Sequence, residues 1–113
     1  MINNKYLALL LFLFFGQFAN AQSCLENLFK ANKLLDAGNT DECIALANPC
    51  CQKGNEESVR WQAYRLKSIS YILKGYTDSA KVAAENMLDI YPNYSPNLLK
   101  DPKEFIILLK SIV

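Results

Sequence analysis

Two stretches of this chain carry the same pattern of small and large residues at one fixed offset. Ala31, Leu34, Gly38, Cys43 and Ala47 are followed 37 residues later by Ser68, Tyr71, Gly75, Ala80 and Ala84. Each set reads small, large apolar, Gly, small, small, with gaps of three, four, five and four residues. Residues three and four apart share one face of a helix, whereas a strand would need every second residue. A glycine inside such a pattern ends one helix and lets the next begin. The pattern therefore predicts two pairs of amphipathic helices, each joined at its glycine, with small side chains where the pair packs closely. An internal period of this kind constrains the fold before any local signal is weighed.

Local signals agree. Ser23-Cys24-Leu25-Glu26 reads as a capping box at the start of a first helix, which runs to about Ala37 and stops at Gly38. A second helix is predicted over roughly Thr40 to Asn48, a third over Glu57 to Lys74 and a fourth over Thr77 to Ile90. Pro49 should kink or end the second. In the fourth, Ala80, Ala83, Ala84, Met87 and Tyr91 form one apolar stripe, the signature of a core face. Tyr91-Pro92-Asn93-Tyr94-Ser95-Pro96 is too rich in proline for helix. Asp101-Pro102-Lys103-Glu104 predicts an N-cap with proline in the first turn of a fifth helix. Phe105, Ile106, Ile107, Leu108, Leu109, Ile112 and Val113 make that helix apolar on most sides. The expected fold is all-α, with two antiparallel helix pairs and a C-terminal helix that caps the open end. The alternatives are a generic helical bundle and, for the last helix, a docking element.

The spacing of the paired sets resembles the tetratricopeptide repeat. Pro92 stands where that family closes a repeat, and Trp61 and Tyr64 precede Ser68 in its aromatic manner. There are departures. The family period is about 34 residues, and the extra residues here lie around Gln52-Lys53-Gly54-Asn55. Lys30 and Lys67 occupy positions that are usually large and apolar, Asn27 stands where an aromatic is typical, and the first unit lacks its closing proline. The resemblance covers about Cys24 to Pro92. It implies a right-handed stack of helix pairs. With the Tyr-Pro-x-Tyr turn and the Asp-Pro-x-x-Phe helix, the chain resembles small periplasmic tetratricopeptide-like domains of Gram-negative bacteria, which implies assembly or interaction duty.

The N-terminus carries a separate message. Lys5 precedes nine unbroken apolar residues, Leu7 to Phe15, and Ala19-Asn20-Ala21 follows. Charged start, short apolar centre and A-x-A exit are the parts of a secretory signal. A spanning helix needs about 20 apolar residues. Residues 1–21 are therefore expected to be removed, leaving 22–113 as one helical domain in the periplasm or outside the cell. The alternatives are an uncleaved anchor and a lipoprotein exit at Cys24, whose upstream residue Ala21 fits that signal poorly. Without Lys5 the remainder has 11 basic and 11 acidic residues, which favours neither nucleic acid nor an acidic membrane surface as partner. The chain has no histidine and no phosphate-binding or nucleophile-elbow motif. That removes the commonest general base and metal ligand, and no catalytic residue, cofactor or metal is expected.

All four cysteines, Cys24, Cys43, Cys50 and Cys51, lie in the first unit. Export places them where disulfides persist, and no C-x-x-C pair suggests zinc or redox chemistry. Cys43 and Cys50 are about 10 Å apart along one helix, too far for a bond that needs Cα atoms within about 7 Å. Antiparallel helices bring Cys24 beside Cys50 and Cys51. Cys50 shares the stripe of Cys43 and Ala47 that faces the first helix, while Cys51 is turned about 100° away. One bridge, Cys24–Cys50, is expected, with Cys43 buried in place of the repeat's alanine and Cys51 pointing outward.

No residue names a partner. In tetratricopeptide proteins the first helix of each pair lines a concave groove. That likeness puts Leu25, Leu28, Asn32 and Leu35 there from the first unit, and Gln62, Arg65, Ile69 and Ile72 from the second. Asn32 and Arg65 would be its polar handles for a bound peptide. The alternatives are that the last helix or the proline-rich loop covers this face, or that the protein is a structural subunit or lipoprotein component of an envelope complex held through its C-terminal helix.

Overall fold

A computed structural model of the protein describes residues 24–112. Over these residues the chain is all-α, with no strand among them. Helix α1 covers 24–36, α2 Thr40–Ala47, α3 Glu57–Lys74, α4 Thr77–Ile90 and α5 Lys103–Ile112. The expected leader, 1–21, and the Ser23 cap lie outside the described residues. Helix α3 packs against α2, α4 and α5 and is the centre of the fold.

The two units share their turn chemistry atom for atom. Gly38 and Gly75 both adopt left-handed backbone, at φ 83° and 82°. At the first turn, Gly38 N–H donates to Leu35 O at 3.0 Å and Asn39 N–H to Leu34 O at 2.8 Å. At the second, Gly75 N–H donates to Ile72 O at 3.0 Å and Tyr76 N–H to Tyr71 O at 2.8 Å. Each pair satisfies carbonyls that a helix end leaves without partners, and a residue with a Cβ would resist the conformation that allows it. The small residues on either side of the turns are sealed: Ala31, Cys43, Ala47, Ser68, Ala80 and Ala84 are all fully buried. Helices α3 and α4 approach so closely that Ser68 Oγ donates to Ala80 O at 2.8 Å. A larger side chain at either position would push the backbones apart.

Pro49 ends α2 at Ala47, and the chain continues as a 3-10 turn, Asn48–Cys51, with the proline in its first positions. That turn carries Cys50 to the start of α1. Cys24 and Cys50 are disulfide-bonded with Cα atoms 5.6 Å apart. The bond closes the first core, in which Leu28, Ala31, Cys43, Ala47, Ala63 and Leu66 meet. Cys43 is buried as expected. Cys51 is not fully outward: it is half-buried and packed against the same core, with its Sγ 3.6 Å from Ala47 O. The irregular geometry of the 3-10 turn, three residues per turn instead of 3.6, is what swings it inward.

Helix α5 completes a second core. Phe105 and Leu109 are buried against Ile69, Ala84 and Met87, with Ile72, Leu108 and Ile112 packed at the edge. Ile107, on the far side of α5, is 57% exposed.

Candidate functional site

The segment between α4 and α5 is held down at both ends. At its start, Trp61 of α3 packs against Tyr91 and Tyr94, with ring centroids 5.1 and 5.6 Å apart. At its end, the Asp101 carboxylate is wholly buried, and it ion-pairs with Arg65 of α3. Arg65 Nε donates to Asp101 Oδ1 at 2.9 Å and to Tyr94 Oη at 3.1 Å. Tyr94 Oη donates to Asp101 Oδ2 at 2.6 Å, and the Asn97 backbone N–H donates to the same oxygen at 2.8 Å. Every oxygen of the carboxylate is thus satisfied, which is what allows a charge to be buried.

These contacts set the ionisation of the cluster. Burial pushes the Asp101 carboxyl up, but the hydrogen bonds from Tyr94, Asn97 and Arg65 outweigh it and hold the group below its ordinary value. Burial, and then donation to Asp101, push the Tyr94 phenol up to about 12 against the opposing pull of Arg65.

Two sequence expectations change here. Asp101 was expected to cap α5; its side chain is turned instead onto Arg65, Tyr94 and Asn97. A partly buried guanidinium in a charge-assisted pair binds a carboxylate more strongly than exposed helical N–H groups do. Arg65, expected to be a polar handle of the groove, lines the cleft, but its side chain is only 18% exposed and is committed to Asp101.

Between this anchored segment and α1 lies an open cleft of about 790 Å³, floored by α3. Of the residues expected on the groove, Leu28, Asn32 and Arg65 line it, as do Leu25 and Gln62. Leu35, Ile69 and Ile72 do not. Ile69 is buried against Phe105 and Leu109, Ile72 packs on the same cluster, and Leu35 lies between the two cores. Helix α5 covers the groove face of α3 at Ile69 and Ile72 and leaves it open at Gln62 and along α1.

The α1 wall is apolar and wet, with Leu25 63% and Phe29 65% exposed. Asn32 and Asp36 continue that wall as exposed polar groups. The opposite wall is the turn 97–100, where Leu99 and Lys100 line the cleft. Sequence reasoning missed this turn. Its one signal is Asn97, a residue type that closes turns with its own side chain.

The two free thiols lie away from the cleft. Burial pushes both up: Cys43 against a small counter-effect from the Ser70 hydroxyl, Cys51 against the nearby Lys67 and Arg60 charges. Among the described residues, no three His, Cys, Asp or Glu side chains converge as metal ligands, and no helix is long and apolar enough to cross a membrane. No family model matches this chain, and no curated protein or solved structure does.

Proposed function

We propose that the chain is exported, with cleavage after Ala21, and that its folded part is a non-catalytic protein-interaction module of the periplasm or of the secreted space, built on tetratricopeptide-like helix pairs. The observation that carries this reading is the cleft. Its α1 wall leaves Leu25 and Phe29 largely in water beside Asn32, while the floor offers Gln62. Gln62 Nε2 is engaged by Ser58 O at 2.8 Å, leaving its carbonyl oxygen as an acceptor. Apolar anchors interleaved with side-chain amides suit a protein segment, whose side chains need hydrophobic cover and whose backbone needs hydrogen bonds. The Cys24–Cys50 disulfide supports export, because such bonds persist in oxidising compartments.

The test is site-specific photocrosslinking in the exported protein, with the probe at Phe29 in the cleft and, as control, at Val82, exposed on α4. A discrete protein adduct from Phe29 and none from Val82 is expected. Equal labelling at both positions, or none at Phe29, refutes a protein-binding cleft. Intact mass of the same material checks the cleavage: a chain beginning at Gln22 is expected.

A further inference from the structure

The turn opposite α1 is built to hold two leucines in water. Leu98 is 82% exposed and Leu99 is 97% exposed. Water disfavours exposed leucine side chains, so a mobile loop would fold such a pair back onto the protein. This one is pinned. Asn97 Oδ1 accepts from Leu99 N–H at 2.9 Å and from Lys100 N–H at 3.2 Å. Asn97 O accepts from Asp101 N–H at 2.7 Å. The base of the turn is then fixed by the carboxylate that Arg65 and Tyr94 hold. A rigid apolar tip presents its contact without paying ordering entropy on binding, which is the property of a docking anchor.

The surface that fits the tip is on the same molecule. Across the cleft stand Leu25 and Phe29, and its open volume of about 790 Å³ leaves room for apolar side chains between the walls. The turn carries Lys100 and the end of the α1 wall carries Asp36, while Lys33 of α1 stands over the Phe29 ring, 4.5 Å from its centroid. A knob and a socket that border one cleft suit a two-fold rotation, in which each tip would enter the other molecule's cleft and bring its Lys100 toward the other's Asp36. Such a pairing closes on itself and does not propagate.

We propose that the protein segment received by the cleft is the 98–100 tip of a second copy of this chain, in a two-fold pair. The proposal rests on the reading of the cleft as a protein-binding site. Sedimentation analysis of the exported protein, in a Cys51→Ser background that excludes a thiol-linked pair, is expected to show a dimer. Leu98→Asp and Leu99→Asp, both at exposed positions, should each give a monomer with an unchanged melting curve. Asp36→Lys and Lys100→Asp should each weaken pairing about tenfold, and the two together should restore it. A parent protein that stays monomeric at high micromolar concentration overturns the proposal, as does a dimer that survives both leucine substitutions. The Phe29 photocrosslink separates the two readings. A product of two copies supports both. A product with a different chain overturns self-pairing and leaves the interaction module standing. No product overturns both.

Discussion

Arg65 and Asp101 lie 36 residues apart and meet where the α4–α5 segment crosses α3, the carboxylate fully buried and the guanidinium 18% exposed. The pair fixes the direction in which α5 leaves the segment. Removing one member strands the other, which typically costs about 3–5 kcal/mol. Partial solvation of Arg65 places this pair near the lower figure. Arg65→Ala and Asp101→Asn are each expected to cost about 3 kcal/mol, read as a lower urea midpoint with an unchanged slope. Tyr94→Phe removes one hydrogen-bonded hydroxyl and should cost about 1 kcal/mol. A melt unmoved by Arg65→Ala would mean that the guanidinium is free for a partner after all.

The same cluster sets a pH window. Asp101 is held below its ordinary carboxyl value of 3.8, so its folded form binds a proton less readily than its unfolded form. Its contribution is intact above about pH 3.8 and is lost as pH falls through the lower folded value. Tyr94 works at the other end. Its phenol is raised from 10.0 to about 12, so its contribution is intact below pH 10 and fades as pH rises toward 12. Thermal melts are expected to be flat between these limits with respect to this cluster. In Asp101→Asn the acid limb should be shallower, whereas an acid limb identical to the parent's would assign the acid sensitivity to other carboxyls.

The Cys24–Cys50 bond closes a loop of 26 residues. On the chain-entropy model that is worth about 3 kcal/mol, and Cys24→Ser should lose about that much. Cys43→Ala restores the small residue found at the matching Ala80 and should cost under about 1.5 kcal/mol. The thiols should alkylate in order. Burial raises both, yet Cys51 is half-buried and Cys43 is sealed. Under native conditions iodoacetamide should label Cys51 slowly and Cys43 only after unfolding, which peptide mapping reads directly. A Cys24–Cys51 linkage in the same map would contradict the geometry of the 3-10 turn.

Gly38 and Gly75 sit at matching left-handed turns, φ 83° and 82°, with no atom near enough to obstruct a methyl group. An alanine at either position meets backbone strain and no steric clash, about 1 kcal/mol each. Similar losses for Gly38→Ala and Gly75→Ala, adding in the double variant, would express the equivalence of the two units in energy. A cost at one turn alone would mean that the shared geometry has no shared energetic role.

Those turns were legible in the sequence because their causes are local. Only glycine takes the left-handed turn without strain, and only small residues let Ser68 reach the Ala80 carbonyl. The Cys24–Cys50 bond was legible for a similar reason, since a helical stripe fixes which of two adjacent cysteines faces α1. The Arg65–Asp101 pair was not legible because the partners are distant in sequence, and nothing within a few residues of Asp101 distinguishes a cap from a buried counter-ion. The tetratricopeptide likeness puts Ile69 and Ile72 on the groove face of α3, but it does not decide between an open face and one covered by the last helix. Leu98 and Leu99 left no periodic signal at all, being held by one turn and its asparagine.

What covers Ile69 is α5, and Phe105 is the residue through which it acts. Phe105 is fully buried, touches the Tyr94 ring edge-on at 6.4 Å and meets Ile69, Met87 and Leu109. Phe105→Ala leaves a cavity that the α3–α4 pair cannot close, because those helices are already held at small-residue contact distance by Ser68 and Ala80. The expected loss is about 3–5 kcal/mol, a large part of the roughly 5–15 kcal/mol available to a folded domain. Ile107→Ala, on the exposed side of the same helix, should cost well under about 1 kcal/mol. Deleting residues 103–113 should expose Ile69 and Met87 and give an aggregating, partly unfolded chain. If the truncated protein instead stays monomeric with an unchanged melt, and Phe105→Ala is as mild as Ile107→Ala, α5 is a docking element that rests on the fold without completing it.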